Sequence, residues 1–149
     1  MPERSLTTPL GRLTLTEERG AITRLRWGGE GEDDTPLLAR AVDQLAGYFA
    51  GTRRGFDLPV AIPEGLQGRV MRAMAAIPFG ETRSYGDLAR ELGASAQAIG
   101  QACGANPVPI VIPCHRILGA SGLGGFSAPG GIETKVALLR LEGAAGLLI

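Results

Sequence analysis

The stretch Pro107-Val108-Pro109-Ile110-Val111-Ile112-Pro113-Cys114-His115-Arg116 restricts the fold of this 149-residue chain more than any other part. Proline has no N–H and a fixed φ, so no regular element runs through such a segment. The apolar residues it encloses, Val108 and Ile110 to Ile112, read as a short buried segment broken at both ends. Cys114 and the only histidine of the chain, His115, follow directly. A thiol beside an imidazole is a way to make a thiolate near neutral pH, and the thiolate is the nucleophilic form. Pro113 fixes the backbone there, so the cysteine is presented by a rigid turn. Taken alone, the dipeptide fits a buried structural cysteine equally well.

Length allows one domain, or a small domain joined to a larger one. With 44% hydrophobic residues the chain can bury a core, and its 15 basic and 15 acidic residues leave no global attraction to a polyanion. Residues 1–64 hold eight arginines against ten acids, whereas residues 65–120 hold five against three. Any nucleic-acid contact therefore belongs to the middle of the chain. Fourteen of the fifteen cations are arginine. Two cysteines, Cys103 and Cys114, make no disulfide framework, and with one histidine they make no zinc site. No apolar run approaches about 18 residues and no signal-peptide pattern is present, so a reducing, cytoplasmic setting is expected.

Along the chain, residues 13–16 and 22–27 alternate apolar and polar side chains around a turn at 17–20, the pattern of a β-hairpin. Residues 28–34 are polar, glycine-rich and acidic, a solvated loop with no metal-ligand spacing. Thr35-Pro36 starts a helix that carries Leu37, Leu38, Val42, Leu45, Tyr48 and Phe49 and stops at Gly51. Residues 56–60 read as a third strand. A second helix runs from Leu66, with Val70, Met74 and Ile77 on its stripe, to Pro78. Ser84 and Asp87 form a capping-box start, and Gly93 ends that helix. Ser95 caps another, residues 96–103, whose Ala96, Ala98, Gly100 and Ala102 make it a thin rod. Two short helices joined by a glycine turn are the helix-turn-helix pattern. The thin rod suits close approach to a groove or tight internal packing. Residues 119–131 hold six glycines, a loop able to fold over a flat ligand, and a last helix spans about 132–141 before Gly143.

Several of these segments form a set. Asn106-Pro107-Val108-Pro109 leads into Pro113-Cys114-His115-Arg116, with Gly124-Gly125-Phe126-Ser127 and Leu138-Leu139-Arg140-Leu141-Glu142-Gly143 behind it. Upstream lies Ile77-Pro78-Phe79-Gly80-Glu81-Thr82-Arg83-Ser84-Tyr85. The set resembles the active-site signature of the O6-alkylguanine-DNA alkyltransferases, also called methylated-DNA–protein-cysteine methyltransferases. The resemblance covers roughly residues 65–143; before them only the layout matches.

The resemblance implies an α+β fold: a small N-terminal β-sheet with a helix, ribonuclease H-like, over residues 1–63. Residues 64–149 would form a helical DNA-binding alkyltransferase domain with a winged-helix-like helix-turn-helix. It implies a monomer that acts on double-stranded DNA containing O6-alkylguanine, flips the base from the minor groove, and moves the alkyl group irreversibly to its own Cys114. O4-alkylthymine is a possible second substrate. No cofactor, metal or membrane is called for. In this reading Cys114 is the nucleophile, His115 its base through a water, Glu142 the carboxylate that orients the histidine, and Asn106 the residue that organises water and turn. Tyr85 assists flipping. Gln97 stands where the family has an intercalating arginine, which brings no charge and predicts weaker flipping. Ala96, Gly100 and Arg116 are expected on the DNA or substrate side. Phe126, where a tyrosine is common, walls the pocket, the amide of Ser127 donates to O6, and the carbonyl of Cys114 or Ile117 accepts from the guanine amino group. Three other readings stand beside this one: a non-transferring protein that flags lesions, a regulator using the helix pair, and an unrelated cysteine hydrolase.

Overall fold

The structure is a computed structural model and describes residues 1–119, 124, 126 and 128–144. The chain divides into two compact units, Met1–Ala61 and Ile62–Ile149. As the sequence implies, the fold is α+β, a small antiparallel sheet with a helix followed by a mainly helical unit.

In the first unit, β1 (Glu3–Thr8), β2 (Gly11–Glu18) and β3 (Ala21–Trp27) form an antiparallel sheet in sequence order. Helix α1 (Pro36–Ala50) starts at Thr35, whose hydroxyl accepts from the Leu38 amide, and stops at Gly51. Leu13, Leu15, Ile22 and Leu25 of the sheet and Leu38, Ala41, Leu45 and Tyr48 of α1 make the core. The opposite face of β2 is polar yet buried. Thr14 shares a hydrogen bond of 2.6 Å with Ser5 and gives one to the Gly28 carbonyl, and Thr16 donates to Glu3. The glycine-rich loop covers that face: Gly31 pairs with Ser5, and a Cβ there would lie 2.5 Å from the Glu3 carbonyl oxygen.

Two strand expectations change. The third strand is β1, which pairs with β2 from Glu3↔Thr16 to Thr8↔Gly11. It has one strongly apolar residue, Leu6, and so no alternation to read. Residues 56–60 contribute only an isolated parallel bridge, Ile22↔Val60, because Pro59 has no N–H with which to extend a ladder.

In the second unit, α2 (Gly65–Ala75) buries Val70, Met71 and Met74, with Ile77 behind them, while Leu66 is half-buried. A short parallel pair joins β4 (Arg83–Ser84) to β5 (Ile117–Leu118). Helix α3 (Tyr85–Leu92) begins in a full capping box between Ser84 and Asp87. Helix α4 (Ala96–Gly104) is capped by Ser95. Gln67 ties α2 to the Ala102 carbonyl at 2.9 Å, and Arg69 reaches the Leu92 carbonyl at 2.8 Å. Helix α5 (Ile132–Glu142) ends at Gly143. Val108, Ile110 and Ile112 are buried with Leu88, Ile99, Ile117, Leu138 and Leu139. Among the described residues, no helix is long and apolar enough to cross a membrane.

Candidate active site

The proline-bounded segment folds as a tight turn. Ile110 sits at φ 73°, a left-handed conformation that a β-branched residue adopts only under constraint. The constraint is Asn106: its amide nitrogen donates to the Ile112 carbonyl at 2.8 Å and its oxygen accepts from the Val108 amide at 3.1 Å. Behind Pro113 the chain enters a 3-10 turn, Cys114–Arg116, and Cys114 is delivered partly exposed at its start.

Cys114 opens into a cavity of about 290 Å³. Asn106 and Pro109 line it beside the thiol, Tyr85 and Phe126 supply aromatic walls, and α4 contributes Gly100, Cys103 and Gly104. The Tyr85 wall is tightly backed, since a Cβ on Gly124 would lie 3.0 Å from the ring. Burial raises the Cys114 pKa, while a hydrogen bond from the Asn106 side chain and the nearby Lys135 cation lower it. Cys103 is pushed up to about 12, chiefly by burial. Burial also raises the Tyr85 phenol.

Behind the thiol lies a buried chain of charges. His115 Nε2 is 2.7 Å from a Glu142 oxygen, and neither side chain is exposed. Arg116 grips the same carboxylate with two bonds of 2.9 Å and gives a third, of 2.6 Å, to the Ile77 carbonyl. A carboxylate held by arginine is an acceptor, so Nε2 carries the imidazole proton. Burial outweighs Glu142 and lowers the His115 pKa, which keeps the ring neutral. Its other nitrogen, Nδ1, is buried without a hydrogen-bond partner among the described residues. A neutral imidazole with a bare lone pair is a base.

Cys114, Asn106, Tyr85, Gly100 and Phe126 thus share the cavity, while His115 and Glu142 pair with each other and are not part of its lining. Ala96 and Gln97 lie apart, exposed at the N-terminus of α4. Ser127 lies outside the described residues. Two expectations are corrected. Arg116 is only 6% exposed and spends its donors on Glu142 and Ile77, so it does not face a nucleic acid. Ile117 is fully buried, and its carbonyl accepts from Lys135 at 2.5 Å, so its side chain does not face a ligand; the Cys114 carbonyl in turn accepts from the Ile117 amide. Lys135 itself was not foreseen; its signal is that it is the one lysine among fourteen arginines. Cys103, buried on α4, also lines the cavity.

Residues 65–144 match the 6-O-methylguanine DNA methyltransferase DNA-binding domain, and residues 1–62 match the ribonuclease-like domain of the same proteins. The chain belongs to this family. A methylated-DNA–protein-cysteine methyltransferase of Mycolicibacterium paratuberculosis is 43% identical over 93% of this chain and 90% of its own length. The constitutive enzyme of that name from Bacillus subtilis is 41% identical over 91% of each. Among solved structures, Mycobacterium tuberculosis OGT in complex with DNA superposes with a TM-score of 0.83 at 40% identity, covering 95% of this chain and 93% of that one. Membership places the chain among the DNA-repair methyltransferases, as its Pro-Cys-His-Arg segment implies.

Proposed function

We propose that this protein repairs double-stranded DNA by moving an alkyl group from O6 of a flipped guanine to the sulfur of Cys114, once per molecule. The observation that carries the reading is Cys114 lining a cavity, followed in the same turn by a neutral buried imidazole that bonds a carboxylate. This is the nucleophile–base–orienter arrangement. His115 Nδ1 takes the thiol proton through a water, and Asn106 steadies the sulfur. The thiolate attacks the alkyl carbon, the S–C bond forms as the C–O6 bond breaks, and the electron pair left on guanine takes a proton to restore the normal base. A thioether is not hydrolysed, so nothing regenerates Cys114.

Base flipping costs a few kcal/mol. Tyr85 and Phe126 would wall the flipped base, and the thin α4, with Ala96 and Gly100, would lie in the minor groove with Gln97 in the vacated stack. The test is intact-mass spectrometry after mixing with a duplex carrying one O6-methylguanine, with Cys114→Ser in parallel. A stoichiometric gain of one methyl group, absent in the variant, is expected; an O4-methylthymine duplex probes the second substrate. No gain with duplex binding retained would replace this reading with lesion flagging, and methyl released as free product would point to a hydrolase.

A further inference from the structure

Two of the side chains that line the cavity are thiols. Cys114 enters it from the 3-10 turn and Cys103 from the last turn of α4, and these are the only cysteines of the chain. Asn106 joins their supports. Its backbone amide donates to the Cys103 carbonyl at 3.2 Å, and its side chain ties the Val108 amide and the Ile112 carbonyl of the turn that leads to Cys114. The two thiols therefore sit at the ends of one pinned turn and border one space of about 290 Å³.

Their surroundings differ. Cys114 is partly exposed, whereas Cys103 is only 7% exposed. Burial, and after it Cys114, push the Cys103 thiol up to about 12, so toward reagents in solution it is inert at neutral pH. A small oxidant entering the cavity thus reacts at Cys114, with a second thiol waiting on the same cavity wall. Cys103 stands where helix ends fray, and Gly104 follows it, so the last turn of α4 has the freedom to bring the sulfurs to a bonding distance of about 2 Å. The proposed transfer has no use for Cys103.

We propose that Cys103 and Cys114 form a reversible disulfide that switches the site off and protects its exposed thiol from irreversible oxidation. The oxidant is a hydroperoxide. Cys114 takes one oxygen from it and becomes a sulfenic acid, while the peroxide is reduced to an alcohol or to water. The Cys103 sulfur then attacks the sulfenic sulfur: the S–S bond forms, the S–O bond breaks, and the leaving hydroxide takes the Cys103 proton and departs as water. A neutral sulfenic acid at Cys114 no longer opposes ionisation of Cys103. A dithiol reductant restores both thiols. The pairing itself needs no methyl transfer; that oxidation silences transfer rests on the reading of Cys114 as the nucleophile.

The test treats the wild type with hydrogen peroxide, then maps its tryptic peptides by mass spectrometry. No lysine or arginine lies between Arg90 and Arg116, so both cysteines fall in one peptide, residues 91–116. The expected product is that peptide lighter by two hydrogens and closed to iodoacetamide, from protein that stays a single chain on a non-reducing gel, with both thiols returning after dithiothreitol. Cys103→Ser and Cys103→Ala should instead carry Cys114 on to the sulfinic acid, which dithiothreitol does not reverse. A wild type in which Cys114 becomes sulfinic acid beside a free Cys103, or whose disulfides link separate molecules, would overturn the proposal. Methyl uptake from the O6-methylguanine duplex is measured on the same wild-type samples. It should fall in proportion to the disulfide and return on reduction; uptake indifferent to the disulfide would overturn the switch. A disulfide that forms in protein taking up no methyl even when reduced keeps the pairing and defeats the transfer reading.

Discussion

Replacing Arg116 by methionine separates two roles that the sequence does not distinguish. The change keeps an apolar stem and deletes both bonds to Glu142, the bond to the Ile77 carbonyl and the contact over the Phe79 ring. Glu142 then loses its cationic partner in a site with no exposed side-chain surface. Breaking a buried pair on one side costs about 3–5 kcal/mol. For a unit of this size, each kcal/mol moves the melting temperature by roughly 4–8 °C, so a drop of at least about 12 °C is expected. Arg116→Lys, which keeps the charge but loses the two-pronged geometry, should fall between variant and wild type.

The assays are a thermal melt followed by circular dichroism and a salt titration of duplex binding by fluorescence anisotropy, below the melting point of the variant. A phosphate-contacting arginine would leave stability alone and reduce the salt slope by about 1 when removed. The buried arrangement gives the opposite pair: a large loss of stability and an unchanged slope. A melting temperature within about 2 °C of wild type together with a reduced slope would refute the placement of Arg116 behind His115.

Three further outcomes follow. Because the native pKa of His115 lies below the ordinary 6.5, the unfolded chain binds a proton that the folded chain refuses. Stability is therefore full above 6.5 and falls as pH drops from there toward the native value, by at most about 1.4 kcal/mol per pH unit; urea melts between pH 8 and 5 should show this slope, and His115→Gln should lack it. Ser84→Ala removes the hydroxyl that caps α3 beside Tyr85 and should cost about 1 kcal/mol in thermal melts, whereas an unchanged melt would mean that the capping box carries no weight. Gln97→Arg adds a cation at an exposed position on α4 and should tighten duplex binding, steepen its salt slope by about 0.9 and speed methyl uptake; an unaltered slope would remove α4 from the nucleic-acid contact.

Local chemistry was legible in the sequence. Thr35 before Pro36, Ser84 with Asp87, and Ser95 each form the cap their residue types promise, because a cap is satisfied within three or four residues. The alternation of β2 and β3 likewise needed no distant information. What failed was nonlocal. β1 is held by β2 and by backbone pairing with Gly31, 26 residues from Ser5. Arg116 was read outward because charged residues are rarely buried unless paired, and its partner lies 26 residues further on.

Helix α5 shows most directly why part of the site was hidden. An apolar reading takes Ile132, Leu138, Leu139 and Leu141 as its inward residues, and no single helical face holds all four. The face that is buried comprises Thr134, Lys135, Leu138, Leu139 and Glu142, while Ile132 is 42% exposed and Leu141 only half-buried. That face has the helical spacing of a core stripe, but two of its five residues are charged. Lys135 and Glu142 stand seven residues apart, two turns along one face. Glu142 reaches His115 and Arg116, and Lys135 reaches Ile117 and the Tyr85 ring. A helix built only to close a core would carry leucines at both places. Burying an anion and a cation there is a local conflict with the hydrophobic pattern, and such conflicts concentrate where chemistry is done. Glu142 bonds the imidazole next to Cys114 and Lys135 bonds the carbonyl of Ile117 three residues after it, so the irregularity that obscured the helix face is the part of α5 that touches the candidate site.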